Sequence, residues 1–430
     1  MNNNQKSCYP HIHFAPRFGW MNDPNGLVFH DGIYELYYQS NPDGIAWDNM
    51  TWSHARSKDL THWQEMGAVL YPDENGMMFS GCGLINERGL RDLPKDALLF
   101  PYTAAKDDGF SIRLAYSIDG GKTLQKLPGE LTERIGVDNR DPKVIWHEES
   151  QAYIMVLWLN GNDFGIFRSG DLQRFDLVSR ITLPFGYECP DFFQLPITEE
   201  DGGKTEERRW VFWTGDGTYY VGDFDGWHFK PDDLTFRRRA FLSDLPYAAQ
   251  TFSGTEDVIQ ISWLRTKSIC RQTTGAAGLP RVLSLLKNGD TYLLQETLHP
   301  EILQNTTEAS SASGAGSALQ LEEDKAVYFD FCVKGTYTVE FVDSDGNILL
   351  EMAHQSGSRE MMFTQGEVTE FQGFGEHGKF SLLWDRGILE MQADRSTHVA
   401  VVDFPNLRTK PLGGIRIVSG DVTVRAETIA

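Results

Sequence analysis

The 430-residue chain carries 61 acidic against 39 basic side chains, and its net charge of −22 argues against nucleic acid or an anionic membrane as partner. It is 40% hydrophobic and 23% charged, the balance of a globular protein with a core, and roughly 150 residues per domain would give it two or three domains. Its most apolar run, residues 152–159, is far too short to span a membrane.

The first residues, Met1 to Lys6, hold no apolar segment. No signal peptide is visible, so a cytoplasmic location is expected unless a leader has already been removed. Cys8, Cys82, Cys189, Cys270 and Cys332 are odd in number and scattered without metal-type spacing. They read as reduced thiols. His11, His13, His54 and His62 do not form a ligand set, so no metal or other cofactor is expected.

Residues 1–300 read as all-β. Runs such as Ile33–Tyr38 and Tyr153–Trp158 are aromatic and β-branched, and Asp-Gly, Asn-Pro or Gly-Asn turns bound them. No dozen residues carry helical periodicity with caps. A turn-like string recurs along the chain: Ser57-Lys58-Asp59, Ser117-Ile118-Asp119, Ser169-Gly170-Asp171 and, more loosely, Gly222 to Trp227. Its aspartates Asp59, Asp119, Asp171 and Asp225 are 60, 52 and 54 residues apart. A period of about 50 fits a four-stranded propeller blade. Four copies plus the stretch from Tyr247 to Gln295 predict a five-bladed β-propeller.

Four residues share a phase of this repeat: Asp23, Ser80, Asp141 and Glu188 lie 36, 39, 30 and 37 residues before the repeated aspartates. That phase is expected on the first strand of each blade. There it would line the channel, so that carboxylates far apart in sequence converge as acid–base work on a sugar requires.

Residues 301–317, small and polar, read as a linker or long loop. Residues 318–430 hold seven short strand-like segments, which predict a C-terminal β-sandwich. It would pack on the propeller or mediate a homo-oligomer. Arg237-Arg238-Arg239 reads as a solvated surface run.

Trp20-Met21-Asn22-Asp23-Pro24-Asn25-Gly26 is the most specific string in the chain. With Tyr37 to Pro42, Trp52 to Ala55, Phe79-Ser80-Gly81, Arg140-Asp141-Pro142-Lys143, Glu188-Cys189-Pro190-Asp191, Tyr247 to Phe252, Leu279 to Ser284 and a weaker match at Asp385 to Glu390, it resembles glycoside hydrolase family 32, the family of invertases, levanases and inulinases. The resemblance implies a propeller followed by a sandwich. It also implies retaining hydrolysis of terminal β-D-fructofuranosyl units from a small neutral sugar such as sucrose, from fructo-oligosaccharides or from fructans. Fructosyl transfer and sucrose 6-phosphate hydrolysis are its alternatives. By motif, Asp23 would be the nucleophile, Glu188 the acid/base and Asp141 the transition-state stabiliser. Asn22, Gln39, Trp47, Phe79, Ser80, Arg140 and Tyr247 would line the sugar pocket.

The residue types suit that chemistry. One carboxyl must stay ionised and one protonated. Asn22 and Asn25 flank Asp23 and would favour its charge, whereas Tyr187 and Cys189-Pro190 would give Glu188 an apolar, protonated setting. Arg140 would hold Asp141 charged. The chain departs from the family pattern at Asp48, Ser53, Cys82, Tyr187 and Val282, which leaves the leaving-group subsite open.

Overall fold

The computed structural model describes residues 8–199, 203–304, 306–307, 310–322, 324–375 and 378–429. Among these the helical segments are three short 3-10 turns, Pro300–Leu303, Asp394–Ser396 and Pro405–Leu407, and no helix is long and apolar enough to cross a membrane.

The N-terminal strands pair as five antiparallel groups. The first comprises Gly19–His30, Ile33–Asn41, Thr51–Ser57 and Trp63–Leu70. The second runs from Met77–Gly81 through Leu98–Ala105 and Ser111–Ser117 to Gln125–Lys126. Arg140–His147, Ala152–Asn160, Asp163–Ser169 and Asp176–Thr182 form the third. Asp191–Thr198, Lys204–Trp213, Tyr219–Phe224 and Phe229–Pro231 form the fourth. The fifth contains Pro246–Thr251, Ile259–Leu264, Arg281–Asn288 and Thr291–Leu298.

Strands buried on both faces, such as Leu98–Ala105, read as continuous apolar runs because each group packs against a neighbour on either side. The cores lie between groups. Val28, Tyr37 and Trp52 of the first meet Leu98, Phe100 and Tyr102 of the second. Leu99 and Ile112 meet Tyr153 and Met155, Phe164 and Ile166 meet Phe192 and Phe212, and Trp213 and Val221 meet Leu264 and Leu283. Phe252, Ile259 and Ile261 return to Met21, Leu36 and Tyr38 of the first group. Thr273–Thr274 seals the ring by pairing in parallel with Gly19–Trp20. Truncating a ring such as Phe100 to Ala would cost about 3–5 kcal/mol.

The Ser-x-Asp string is the turn that ends the third strand of a group. Ser57, Ser117 and Ser169 hydroxyls donate to Asp59, Asp119 and Asp171 at 3.1, 2.7 and 3.3 Å, and Asp225 accepts the N–H groups of Trp227 and His228. The repeat is turn chemistry, and it is regular because each group uses it at the same place.

The C-terminal strands form a β-sandwich built on two long strands, Ala326–Val342 and Gly414–Ile429, paired along most of their length. Val327 to Cys332 also pair with Lys379–Asp385, while Tyr337 to Val342 pair with Ile348–His354. Each long strand therefore serves both layers. The switch falls at a register shift between Lys334 and Thr338, where Gly335 has φ +67°. Residues 326–333 and 337–342, two of the seven segments expected as separate strands, are one strand for this reason. Met361–Gln365 and Val368–Gln372, a hairpin the sequence reading missed, extend one layer.

The linker expectation needs correction. Ser310–Ser313 pair with Thr423 to Ala426, because small residues complete an edge strand as readily as they form a loop. Asn305, Glu308 and Ala309 of that segment lie outside the described residues.

The sandwich packs on the propeller through charge as well as apolar surface. Asp385 accepts the backbone N–H groups of His11, Ile12 and His13 at 2.6, 3.0 and 3.0 Å. The buried His13 ring bridges Asp385 (2.8 Å) and Glu390 (3.1 Å), and Arg281 closes on Glu390 at 2.5 Å. Cys8 and Cys270 form a disulfide with Cα atoms 5.6 Å apart, which corrects the reading of all five cysteines as reduced. It is made between the N-terminal segment and the loop before Thr273, residues 262 apart that strand spacing could not bring together on paper. Cys82, Cys189 and Cys332 are free.

Candidate active site

First strands of four of the five groups carry expected site residues. Asp23 lies near the start of Gly19–His30, Phe79 and Ser80 on Met77–Gly81, Arg140 and Asp141 at the start of Arg140–His147, and Tyr247 on Pro246–Thr251. Glu188 is the exception. It sits in the loop just before Asp191–Thr198, not on the strand itself.

The backbone bends sharply here. Asp141, Glu188, Cys189 and Ala248 all have positive φ (65°, 35°, 43° and 47°), a region non-glycine residues occupy at a cost of about 1–3 kcal/mol each. Below the bend, the buried Lys143 ammonium meets Asp191 at 3.1 Å and the Thr251 carbonyl and hydroxyl at 2.8 and 2.7 Å, tying together the third, fourth and fifth groups.

Cys189 links the acids. Its sulfur lies 3.5 Å from Asp23 Oδ2 and 3.4 Å from Asp141 Oδ2, and its backbone N–H donates to the same Asp141 oxygen at 3.0 Å. Burial, with the charges of Asp141, Asp23 and Glu188, pushes the thiol well above its ordinary range, so it remains an S–H donor.

Asp23 accepts bonds from Ser80 Oγ (2.6 Å), Gln39 Nε2 (3.2 Å) and Asn22 Nδ2 (3.3 Å). Trp20 Nε1 donates to Asn22 Oδ1 at 2.8 Å, which turns the amide N–H toward the carboxylate. Asn25 does not join them. Its Oδ1 accepts from Gly81 N–H at 3.2 Å. The expected protection of the Asp23 charge is only partial: burial and the Glu188 charge raise its pKa, against the lowering by Ser80, Asn22 and Cys189.

The setting expected for Glu188 is corrected more strongly. Arg140 holds its Oε2 through Nε at 3.1 Å and Nη2 at 2.7 Å, and the Tyr247 hydroxyl donates to Oε1 at 2.8 Å. Adjacent residue types suggested an apolar pocket, but the partners come from the third and fifth groups. Arg140 was expected to serve Asp141, yet it approaches that carboxylate only to 3.8 Å. Asp141 is instead pushed up to about 7, by burial and then by the Glu188 charge, with Arg140 opposing. Neighbouring carboxyl groups resist ionising together, and Asp141 holds a proton up to near neutrality.

Phe79 and Trp47, the two aromatic residues expected at the sugar pocket besides Tyr247, meet each other. Trp47 is half exposed and stands edge-on to Phe79, with ring centroids 6.0 Å apart, and Phe110 meets the same ring at 5.3 Å. Sequence reasoning missed Trp158, whose ring carries the Arg140 guanidinium 3.9 Å from its centroid, because it lies in an apolar run that reads as core. It also missed the roles of Cys189 and Trp20, which were visible only as motif letters.

Comparisons with known proteins agree with this architecture. The family model "Glycosyl hydrolases family 32 N-terminal domain" matches residues 13–297. A levanase of Bacillus subtilis is 36% identical over 244 residues, 52% of this chain and 35% of that protein. An invertase of Debaryomyces hansenii is 38% identical over 281 residues, 59% and 51% of the two chains. An invertase of Schizosaccharomyces pombe is 31% identical over 379 residues, 76% and 64%. The chain thus spans about a third to just under two thirds of the length of these curated relatives. Among solved structures, an exo-inulinase from Aspergillus awamori superposes with a TM-score of 0.83 at 23% identity, covering 98% of both chains. A fructofuranosidase from Schwanniomyces occidentalis reaches 0.85 at 23% identity, covering 100% of this chain and 99% of that one. These likenesses establish the propeller-and-sandwich fold, and the match over 13–297, well over half of the sequence, establishes that the chain belongs to glycosyl hydrolase family 32.

Proposed function

We propose that the protein is a retaining β-fructosidase that hydrolyses terminal β-D-fructofuranosyl units of sucrose, fructo-oligosaccharides or fructans. One observation carries the reading: a single thiol, on the residue after Glu188, lies within 3.5 Å of carboxyl oxygens from both Asp23 and Asp141. Carboxyl groups from the first and third groups of strands therefore meet beside the residue that follows Glu188. The names levanase, invertase and exo-inulinase among the relatives favour hydrolysis over transfer.

Asp23 attacks the fructosyl anomeric carbon. The bond to the leaving oxygen breaks and that oxygen takes the proton of Glu188. Glu188 suits the acid better than Asp141 because its side chain is 21% exposed against 5%, so it reaches the leaving group at the mouth. The Glu188 carboxylate then takes a proton from water, whose oxygen displaces Asp23 and releases fructose. Asp141, beneath, accepts fructose hydroxyls. Asn22, Gln39 and Ser80 hold Asp23 in place, and the Trp47 and Phe79 rings cover apolar sugar surface.

Product analysis with sucrose, 1-kestose, inulin and levan tests this. Release of fructose from at least one of them, abolished in Asp23→Asn, supports the reading. No release from any of them contradicts it.

A further inference from the structure

Glu188 is bracketed by two stacked arginine–aromatic pairs. On one side Arg140 lies over Trp158 and donates directly to Oε2. On the other, Arg265 lies over Tyr247, its guanidinium carbon 3.7 Å from the ring centroid, and Tyr247 donates to Oε1 at 2.8 Å. Only the first pair contains an arginine the family motifs point to.

Arg265 is well placed to act through the ring. It follows the strand Ile259–Leu264, which pairs with the strand carrying Tyr247. Its backbone N–H is pinned by the Leu245 carbonyl at 2.9 Å, and its side chain also nears the Trp263 ring at 5.4 Å. It is exposed, so it is not a core residue. A cation over the face of a phenol draws electron density from the ring and makes the hydroxyl a stronger donor.

We propose that Arg265 is a positioning residue for Glu188: stacked on Tyr247, it strengthens the hydrogen bond that Tyr247 gives to the Glu188 carboxylate. This rests on Glu188 being the acid/base of the reaction. The groups facing Glu188 are the Arg140 guanidinium, the Tyr247 hydroxyl, the neutral Cys189 thiol, and the carboxylates of Asp141 and Asp23, with the Tyr187 hydroxyl beyond Arg140 at 3.2 Å. Arg265 itself neighbours Asp244, whose nearer partner is Arg239 at 2.7 Å. Of the two donors to Glu188, only Tyr247 lies under a cation. A stronger Tyr247 hydrogen bond favours the charged acceptor over the acid that must protonate the leaving group, so Arg265 sets where the alkaline limb of activity falls.

The test is the pH profile of kcat/KM on sucrose or 1-kestose for wild type, Arg265→Gln, Arg265→Lys, Tyr247→Phe and the Arg265→Gln/Tyr247→Phe pair. The inference expects Arg265→Gln to move the alkaline limb up by about half a pH unit, the size of a partly exposed cation–π interaction. Arg265→Lys keeps most of the wild-type position. Tyr247→Phe moves the limb the same way, and adding Arg265→Gln to it moves the limb no further. An unmoved limb in Arg265→Gln overturns the inference. So does an equal shift on the Tyr247→Phe background, which would mean the charge acts without the ring. If Glu188→Gln kept a wild-type profile, the assignment of Glu188 would fail instead, a result separate from either of these.

Discussion

Cys189 grips Asp141 twice at one oxygen, by its backbone N–H at 3.0 Å and its thiol at 3.4 Å, while the same sulfur reaches Asp23. The thiol is thus a shared donor between two carboxylates that repel each other. Cys189→Ala removes it and leaves the backbone bond. We expect kcat to fall by about tenfold to a hundredfold with little change in Tm, and Cys189→Ser, a better donor, to recover part of the loss. Steady-state kinetics beside thermal melting checks this.

Asp141 carries a cost in stability. Its pKa in the folded protein, about 7, is above its unfolded value near 4, so folding favours the protonated form. Its burial is tolerated below the unfolded pKa and increasingly opposes folding as pH rises toward 7. Asp141→Asn should therefore melt a few degrees above wild type at pH 7.5, with the gap closing near pH 4, while activity is lost. A lower Tm for the variant at pH 7.5 would contradict this.

The pH dependence runs in the same direction at the domain junction, but there it is the charged form that stabilises. Burial disfavours the charged His13 ring, but hydrogen bonds to Asp385 and Glu390 outweigh it and raise its pKa to about 9, above the unfolded 6.5. The stabilisation is fully present below 6.5 and is lost as pH rises through 9. Replacing His13 by Ala leaves two buried carboxylates short of a partner and should cost about 3–5 kcal/mol at pH 6. Denaturant melts of both proteins from pH 6 to pH 9.5 should converge at the alkaline end.

The Cys8–Cys270 bond closes a span of 262 residues across the seam between the first and fifth groups. A cross-link over so long a loop is worth up to about 5 kcal/mol in the chain-entropy account. Reducing agent should lower the Tm of wild type and leave Cys8→Ser unaffected, as read by calorimetry.

Much of this site was legible in the sequence because the repeat has a fixed phase. Asp59, Asp119 and Asp171 mark the same turn in successive groups, so counting back from them puts Asp23, Ser80 and Asp141 on first strands. Glu188 fell one loop short, since the count carries an error of a few residues and the chain there takes left-handed φ values. What could not be read was which partner each acid has. Neighbours in sequence suggested apolar residues for Glu188 and Arg140 for Asp141, whereas a propeller site is furnished from adjacent groups of strands about 50 residues away. In the sandwich, Ala326–Val342 looked like two strands because the bend at Gly335 reads as a turn, and only pairing with Gly414–Ile429 shows continuity. The disulfide and the His13 junction join residues more than 250 positions apart, and no local pattern encodes them.

The central claim is that Asp23 bonds to the fructosyl carbon while Glu188 manages the proton. In Glu188→Gln, a fructoside with a phenolate leaving group needs no acid for the first step, and the second step is left without its base. Intact-mass and peptide analysis of that variant after mixing with an aryl β-fructofuranoside should find one fructosyl unit on the peptide containing Asp23. A label on another residue, or rapid turnover by Glu188→Gln without any label, would contradict the account.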